Sequence, residues 1–170
     1  IIGYYGAVAE WFDYSKVIYV AQNMPDCDVV IIGRVTAGEK QLSKYNNIKL
    51  LGEIPYNELP KYLECFDVCL IPFDTSTDLI KATNPVKFYE YLSAGKKIVA
   101  TDIPELEPFK DKYVYLSNDN HQFLEYIKIC LENKDCLAND TEKMAFALKN
   151  DWQNRYENFY EVCRRAVPTV

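Results

Sequence analysis

Val68-Cys69-Leu70-Ile71-Pro72, then Asn84-Pro85-Val86-Lys87-Phe88-Tyr89-Glu90-Tyr91-Leu92-Ser93-Ala94-Gly95, then Lys97-Ile98-Val99-Ala100 read as buried strand, helix and buried strand. The flanking runs are short, apolar and rich in β-branched residues, as strands covered on both faces should be. Asn84 suits an N-cap, Pro85 suits the first helical position, where its missing N–H costs nothing, and Gly95 can end the helix in a left-handed turn. Two strands joined by a helix pair in parallel. The alternation extends outward on both sides: strands at Ile1 to Tyr5, Asp28 to Gly33, Ile48 to Leu51 and Val114 to Leu116. A helix capped by Asp13 carries Val17, Ile18, Val20 and Ala21, and another from Tyr56 to Phe66 sets Leu59, Tyr62, Leu63 and Phe66 at helical spacing. After Leu116 only helical patterns follow, at His121 to Glu132, Thr141 to Lys149 and Trp152 to Val167. The prediction is an α/β domain over residues 1–170 with a doubly wound, mainly parallel six-stranded sheet in the order 3-2-1-4-5-6. Helices should lie on both faces, with extra helices at the C-terminal end. Ligands of such sheets sit at the carboxyl ends of strands one and four, here the loops Gly6 to Asp13 and Phe73 to Asn84.

With 170 residues, 49% of them hydrophobic, the chain can bury a core without disulfides or metals. Its 19 basic and 25 acidic side chains give a net charge of −6, which argues against a nucleic-acid partner bound by a broad basic face. Apolar runs such as Val68 to Phe73 fall short of the ~18 residues a membrane span needs, so a soluble domain is expected. The first residues already read as a core strand without an initiator methionine, which predicts a longer parent polypeptide. Six cysteines form no C-x-x-C pair, and Cys65, Cys69, Cys130 and Cys163 lie in apolar patterns, so reduced core thiols are expected. His121 is the only histidine, has no cysteine at ligand spacing, and reads as a surface or capping residue; no metal site is predicted.

The helix after Asn84 invites an anion. Its third position is Lys87 where a capping box would place Glu or Gln, so a cation stands at the positive end of the helix dipole. A bound phosphate would relieve that conflict, meeting Lys87 and the free N–H groups of Val86 and Lys87. Phe88, Tyr91 and Leu92 form one apolar side and Val86, Tyr89 and Ser93 another, which leaves Lys87, Glu90 and Ala94 as a polar stripe on a mostly buried helix. Glu90 lies six residues past Asn84, about 9 Å at ~1.5 Å per residue. That matches the offset from a nucleotide's diphosphate to its ribose hydroxyls, for which a carboxylate is a bidentate acceptor. A Lys87–Glu90 ion pair on a solvated edge explains the same two residues equally well.

Thr83-Asn84-Pro85-Val86-Lys87-Phe88-Tyr89-Glu90-Tyr91-Leu92-Ser93-Ala94-Gly95-Lys96-Lys97-Ile98-Val99-Ala100-Thr101 resembles the nucleotide-sugar-binding signature of retaining GT-B glycosyltransferases of the group 1 type. Ile2-Gly3-Tyr4-Tyr5-Gly6-Ala7 and the run Leu51 to Pro60 are similar to the family's first strand and base-binding loop. The resemblance implies a Rossmann-like, donor-binding C-terminal half of a two-domain enzyme whose own N-terminal domain carries the acceptor site. It implies that Glu90 holds the ribose, that Thr83, Asn84, Val86 and Lys87 receive the diphosphate beside Gly6, and that the backbone of Ile54 meets the base. The donor would be a nucleoside-diphosphate sugar of UDP or GDP type, bound without a metal or other cofactor.

Two positions depart from the family pattern. The first glutamate of its E-x7-E motif falls at Ala82, and the basic residues that follow strand one in many members are missing from Gly6 to Phe12. Arg34, after strand two, is the candidate replacement for a diphosphate charge, with a surface arginine as its alternative reading. The implied function is transfer of a sugar to a glycan or lipid-linked acceptor in polysaccharide biosynthesis, in the cytoplasm or at the inner face of the membrane, where the parent can associate peripherally. A nucleotide-sugar epimerase and a non-catalytic interaction module built on the aromatic terminal helix are the competing readings. Gly3-Tyr4-Tyr5-Gly6 lacks the G-x-G-x-x-G spacing of nicotinamide or flavin sites.

Overall fold

The computed structural model describes residues 1–166. Six strands, β1 (Ile2–Tyr5), β2 (Val29–Ile32), β3 (Ile48–Leu50), β4 (Val68–Ile71), β5 (Lys97–Ala100) and β6 (Tyr115–Leu116), form one sheet in the order β3-β2-β1-β4-β5-β6. Every pairing is parallel, with Ile2 opposite both Val29 and Val68. The expected order and sense are both present. The central strands are buried throughout because helices cover both faces.

Among the described residues eight α-helices follow in chain order: α1 (Tyr14–Asn23), α2 (Glu39–Leu42), α3 (Leu59–Glu64), α4 (Asp78–Lys81), α5 (Val86–Ser93), α6 (Asn120–Leu131), α7 (Asp140–Lys149) and α8 (Trp152–Ala166). Asp13 caps α1 by accepting from the Lys16 N–H at 3.0 Å, as its position before the apolar period implies. A 3-10 turn at Tyr56–Glu58 precedes α3, so the single helix expected there is two pieces. The short helices α2 and α4 lie in stretches without helical period. Val167, placed by the sequence reading at the end of the last helix, lies outside the described residues.

Helix α7 packs on α5, and the two are tied at one point. Lys143 is only 1% exposed and its ammonium donates to the Gly95 carbonyl at 3.1 Å. Phe88, Phe109, Phe146 and Tyr113 fill the space between these helices with ring centroids 4.5 to 5.3 Å apart. The cysteine expectation holds for Cys69 and Cys130, which are buried, but Cys65 is exposed on the last turn before β4 and Cys163 is half-buried. Burial pushes the Cys130 thiol up to about 12 and raises that of Cys69 as well, so both behave as apolar packing groups. His121 is exposed in the first turn of α6, whose cap is Asp119. Among the described residues no helix is long and apolar enough to cross a membrane.

Candidate functional site

Where β1 neighbours β2 on one side and β4 on the other, the loops at their carboxyl ends diverge and leave a crevice. Gly6 ends β1 with φ +134° and Gly33 ends β2 with φ +138°, conformations that side chains rarely adopt. The two turns touch: a Cβ on Gly33 would stand 2.2 Å from the Gly6 carbonyl oxygen. A Cβ on Gly6 would stand 3.0 Å from the Lys87 ammonium, so the bare glycine is what lets the lysine lie across the end of the strand.

The cleft that results has a volume of about 380 Å³. Gly6, Arg34, Ile54, Val86, Lys87 and Glu90 all line it, which brings together six of the eight residues singled out in the sequence. Thr83 and Asn84 do not line it. The Thr83 hydroxyl donates to the Leu79 carbonyl at 2.7 Å, and the Asn84 amide donates to Glu105 at 2.8 Å. Asn84 is therefore not the helix cap. Pro85, with ψ 108°, is the last extended residue, α5 begins at Val86, and no side chain caps it. The residue before a proline is biased toward extended backbone, which carries Asn84 away from the helix axis. Phe88 donates to the Pro85 carbonyl at 2.9 Å, leaving the first N–H groups of α5, those of Val86 and Lys87, without a helical acceptor at the positive end of the dipole. Glu90 then lies four residues into the helix, about 6 Å along it, rather than the longer offset counted from Asn84.

Lys87 and Glu90 do not pair. The Lys87 ammonium sits 5.0 Å from the Tyr4 ring centre and 4.9 Å from that of Phe73, between two aromatic faces. Burial pulls its pKa down to about 8, against which the Glu90 charge pulls upward. Glu90 is held instead by two phenols: Tyr5 donates to Oε2 at 2.9 Å and Tyr56 to Oε1 at 2.8 Å. Tyr5 is 7% exposed, its ring packs edge-on against Tyr91 at 4.9 Å, and its backbone N–H donates to the Tyr91 hydroxyl at 3.2 Å. Burial first, then the Glu90 charge, raise the Tyr5 pKa far above the ordinary tyrosine range. Sequence reading missed both tyrosines. Strand alternation turns Tyr5 away from Tyr4 at the carboxyl end of β1, which was a usable signal; nothing local marks Tyr56.

The face of α5 formed by Val86, Tyr89 and Ser93 is less buried than expected. With α7 and the start of α8 it lines a second groove of about 560 Å³, where the Arg155 guanidinium lies 4.4 Å from the Tyr89 ring centre. Asn84 lines this groove rather than the cleft.

Fold and site together define a doubly wound α/β domain with an anion-receptive helix start and a carboxylate in one cleft at the sheet's switch point. The family model for glycosyl transferases group 1 matches residues 9–133, and the chain belongs to that family. It is 26% identical over 134 residues, 76% of this chain and 34% of the other, to TuaH of Bacillus subtilis (strain 168), which carries the name of a teichuronic acid biosynthesis glycosyltransferase. Among solved structures it is similar to Anabaena Alr3699/HepE in complex with UDP and glucose, with a TM-score of 0.73 and 16% identity over 98% of this chain and 48% of that one. AviGT4, a glycosyltransferase involved in avilamycin A biosynthesis, gives a TM-score of 0.74 at 14% identity, over 98% of this chain and 52% of that one. At these identities the structural likeness speaks for the α/β Rossmann-like fold alone. The chain spans about a third of the curated relative, 34%, and about half of HepE, 48%.

Proposed function

We propose that this chain is the donor-binding, C-terminal half of a GT-B glycosyltransferase, taking a nucleoside-diphosphate sugar of UDP or GDP type. The observation that carries this reading is the shared cleft: uncapped N–H groups of Val86 and Lys87 with the Lys87 ammonium near Gly6, and the Glu90 carboxylate one helical turn away. Diphosphate meets the first set and ribose hydroxyls meet the second. Ile54 and Leu59 add apolar lining, which suits a base, and Arg34 adds a cation to the same cleft. During transfer the departing diphosphate gains charge, and preorganised N–H donors with a part-desolvated ammonium stabilise that charge more than they stabilise the bound donor. This is work a metal ion does elsewhere, so the reading is of a metal-independent enzyme.

The parent's own N-terminal domain supplies the acceptor site. On α8, Trp152 (74%), Phe159 (68%) and Tyr156 (62%) are widely exposed, which supports a further domain packing there. The acceptor is a glycan or a lipid-linked acceptor in polysaccharide biosynthesis, in line with the name TuaH carries, and the parent works in the cytoplasm or on the inner face of the membrane. Calorimetry with UDP, GDP and ADP at low salt tests the donor site. One of the three should bind, and Glu90→Ala should weaken it about tenfold or more, the worth of hydrogen bonds to a charged group. Failure of all three to bind, or an unchanged affinity in Glu90→Ala, removes the proposal.

A further inference from the structure

Glu90 is the carboxylate assigned to the ribose, yet both of its oxygens already accept a hydrogen bond from within the chain. The two donors differ in kind. Tyr5 stands on β1, buried, with its ring against Tyr91 and its backbone bonded to the Tyr91 hydroxyl. Its ring is therefore fixed by the core, and its phenol is held where it meets Oε2. Tyr56 stands in the 3-10 turn after β3, is 74% exposed, and reaches Oε1 from the solvent side. Its ring lines the donor cleft and also the neighbouring groove with Tyr89, Met144 and Trp152. With Val86 and Glu90, which also line both, it stands between the two cavities.

A ribose presents two adjacent hydroxyls and needs acceptor positions on the open face of the carboxylate. The buried face belongs to Tyr5; the open one is occupied by Tyr56. We infer that Tyr56 is a gate: its hydroxyl holds Glu90 Oε1 and yields that place to a ribose hydroxyl when a nucleoside diphosphate enters. Tyr5 keeps Oε2 throughout and so positions the carboxylate. The exchange swaps one O–H donor for a ribose hydroxyl at Oε1, while the second ribose hydroxyl takes a further lone pair of the carboxylate, so Tyr56 lowers what the ligand gains from Glu90 without cancelling it. The inference rests on the donor-site reading and adds to it a competitor built into the chain.

The test pairs Tyr56→Phe, which keeps the ring and removes only the hydroxyl, with two ligands in calorimetry: whichever of UDP, GDP and ADP binds, and its 2′,3′-dideoxy analogue. The full nucleotide should bind Tyr56→Phe roughly threefold to tenfold more tightly than the unaltered chain, because the competing hydrogen bond is gone. The dideoxy analogue, having no hydroxyl to place on Oε1, should bind both alike. Tyr5→Phe should move the other way, weakening the full nucleotide several-fold, with circular dichroism confirming its fold. If the unaltered chain binds none of the three nucleotides, the donor-site reading falls and this one with it. If a nucleotide binds but Tyr56→Phe binds it equally or more weakly, or gains as much for the dideoxy analogue, the gate alone is refuted.

Discussion

Lys87 adds its positive charge to that of Arg34 in the cleft, in a place that disfavours charge. Two aromatic faces and the floor of the Gly6 turn replace most of its water, and its pKa falls to about 8. An anion in the cleft acts the other way, raising that pKa in the complex. Between the free and bound values, binding must take up a proton, so affinity falls as pH rises above about 8 and is flat below it, with a slope of at most about tenfold per pH unit. Calorimetry with the bound nucleotide at pH 7 and pH 8.5, each in two buffers of different ionisation enthalpy, should show proton uptake only at the higher pH. Lys87→Met should bind more weakly and lose the pH dependence. A pH-independent affinity in the unaltered chain would show that the ammonium does not meet the ligand's charge.

Helix α5 must be held at both ends for that lysine and Glu90 to face one cleft. Its C-terminus is fixed by a left-handed turn at Gly95, φ +70°, in which Gly95 donates to the Leu92 carbonyl at 2.9 Å and Lys96 to that of Tyr91 at 3.0 Å. A Cβ at Gly95 would also meet Asp140 Cβ at 2.9 Å, on the helix that supports α5. Gly95→Ala should therefore lower the unfolding free energy in urea by about 1–2 kcal/mol from backbone conformation alone, and more if α7 is pushed away. A loss under about half of that would mean the turn relaxes freely. This end of α5 was legible in the sequence because a glycine after an apolar period has a single local meaning. The other end was not: the Asn84 amide is taken by Glu105, 21 residues on, a partner no local pattern reveals. For the same reason α2 and α4, four residues each, escaped notice, since one turn carries no period. The buried strands and their order were readable because apolar runs and crossover handedness leave few alternatives. The phenols on Glu90 were not, because they are contacts across 85 and 34 residues.

Across the whole molecule the apolar side chains divide into two populations. Those on the sheet and on the inner faces of α1, α5 and α6 make one continuous core, in which Phe88 is fully buried. Those on α8 lie outside it, with Phe159 68% and Tyr160 54% exposed. An exposed aromatic contributes little to folding, because its surface stays in water in both states. Phe159→Ser combined with Tyr160→Ser should accordingly leave this chain's unfolding free energy within about 0.5 kcal/mol of the unaltered value. Phe88→Ala, which opens a cavity between α5 and Phe109, should cost about 3–5 kcal/mol. If this chain belongs to the longer polypeptide proposed above and a further domain there covers α8, the same double substitution should be destabilising in that parent, since it then removes buried area. Urea denaturation of the chain and of the parent, each with and without the pair, separates the cases. A large loss already in this chain would place α8 in its core, and no loss in either would leave the aromatic face without a partner inside the parent.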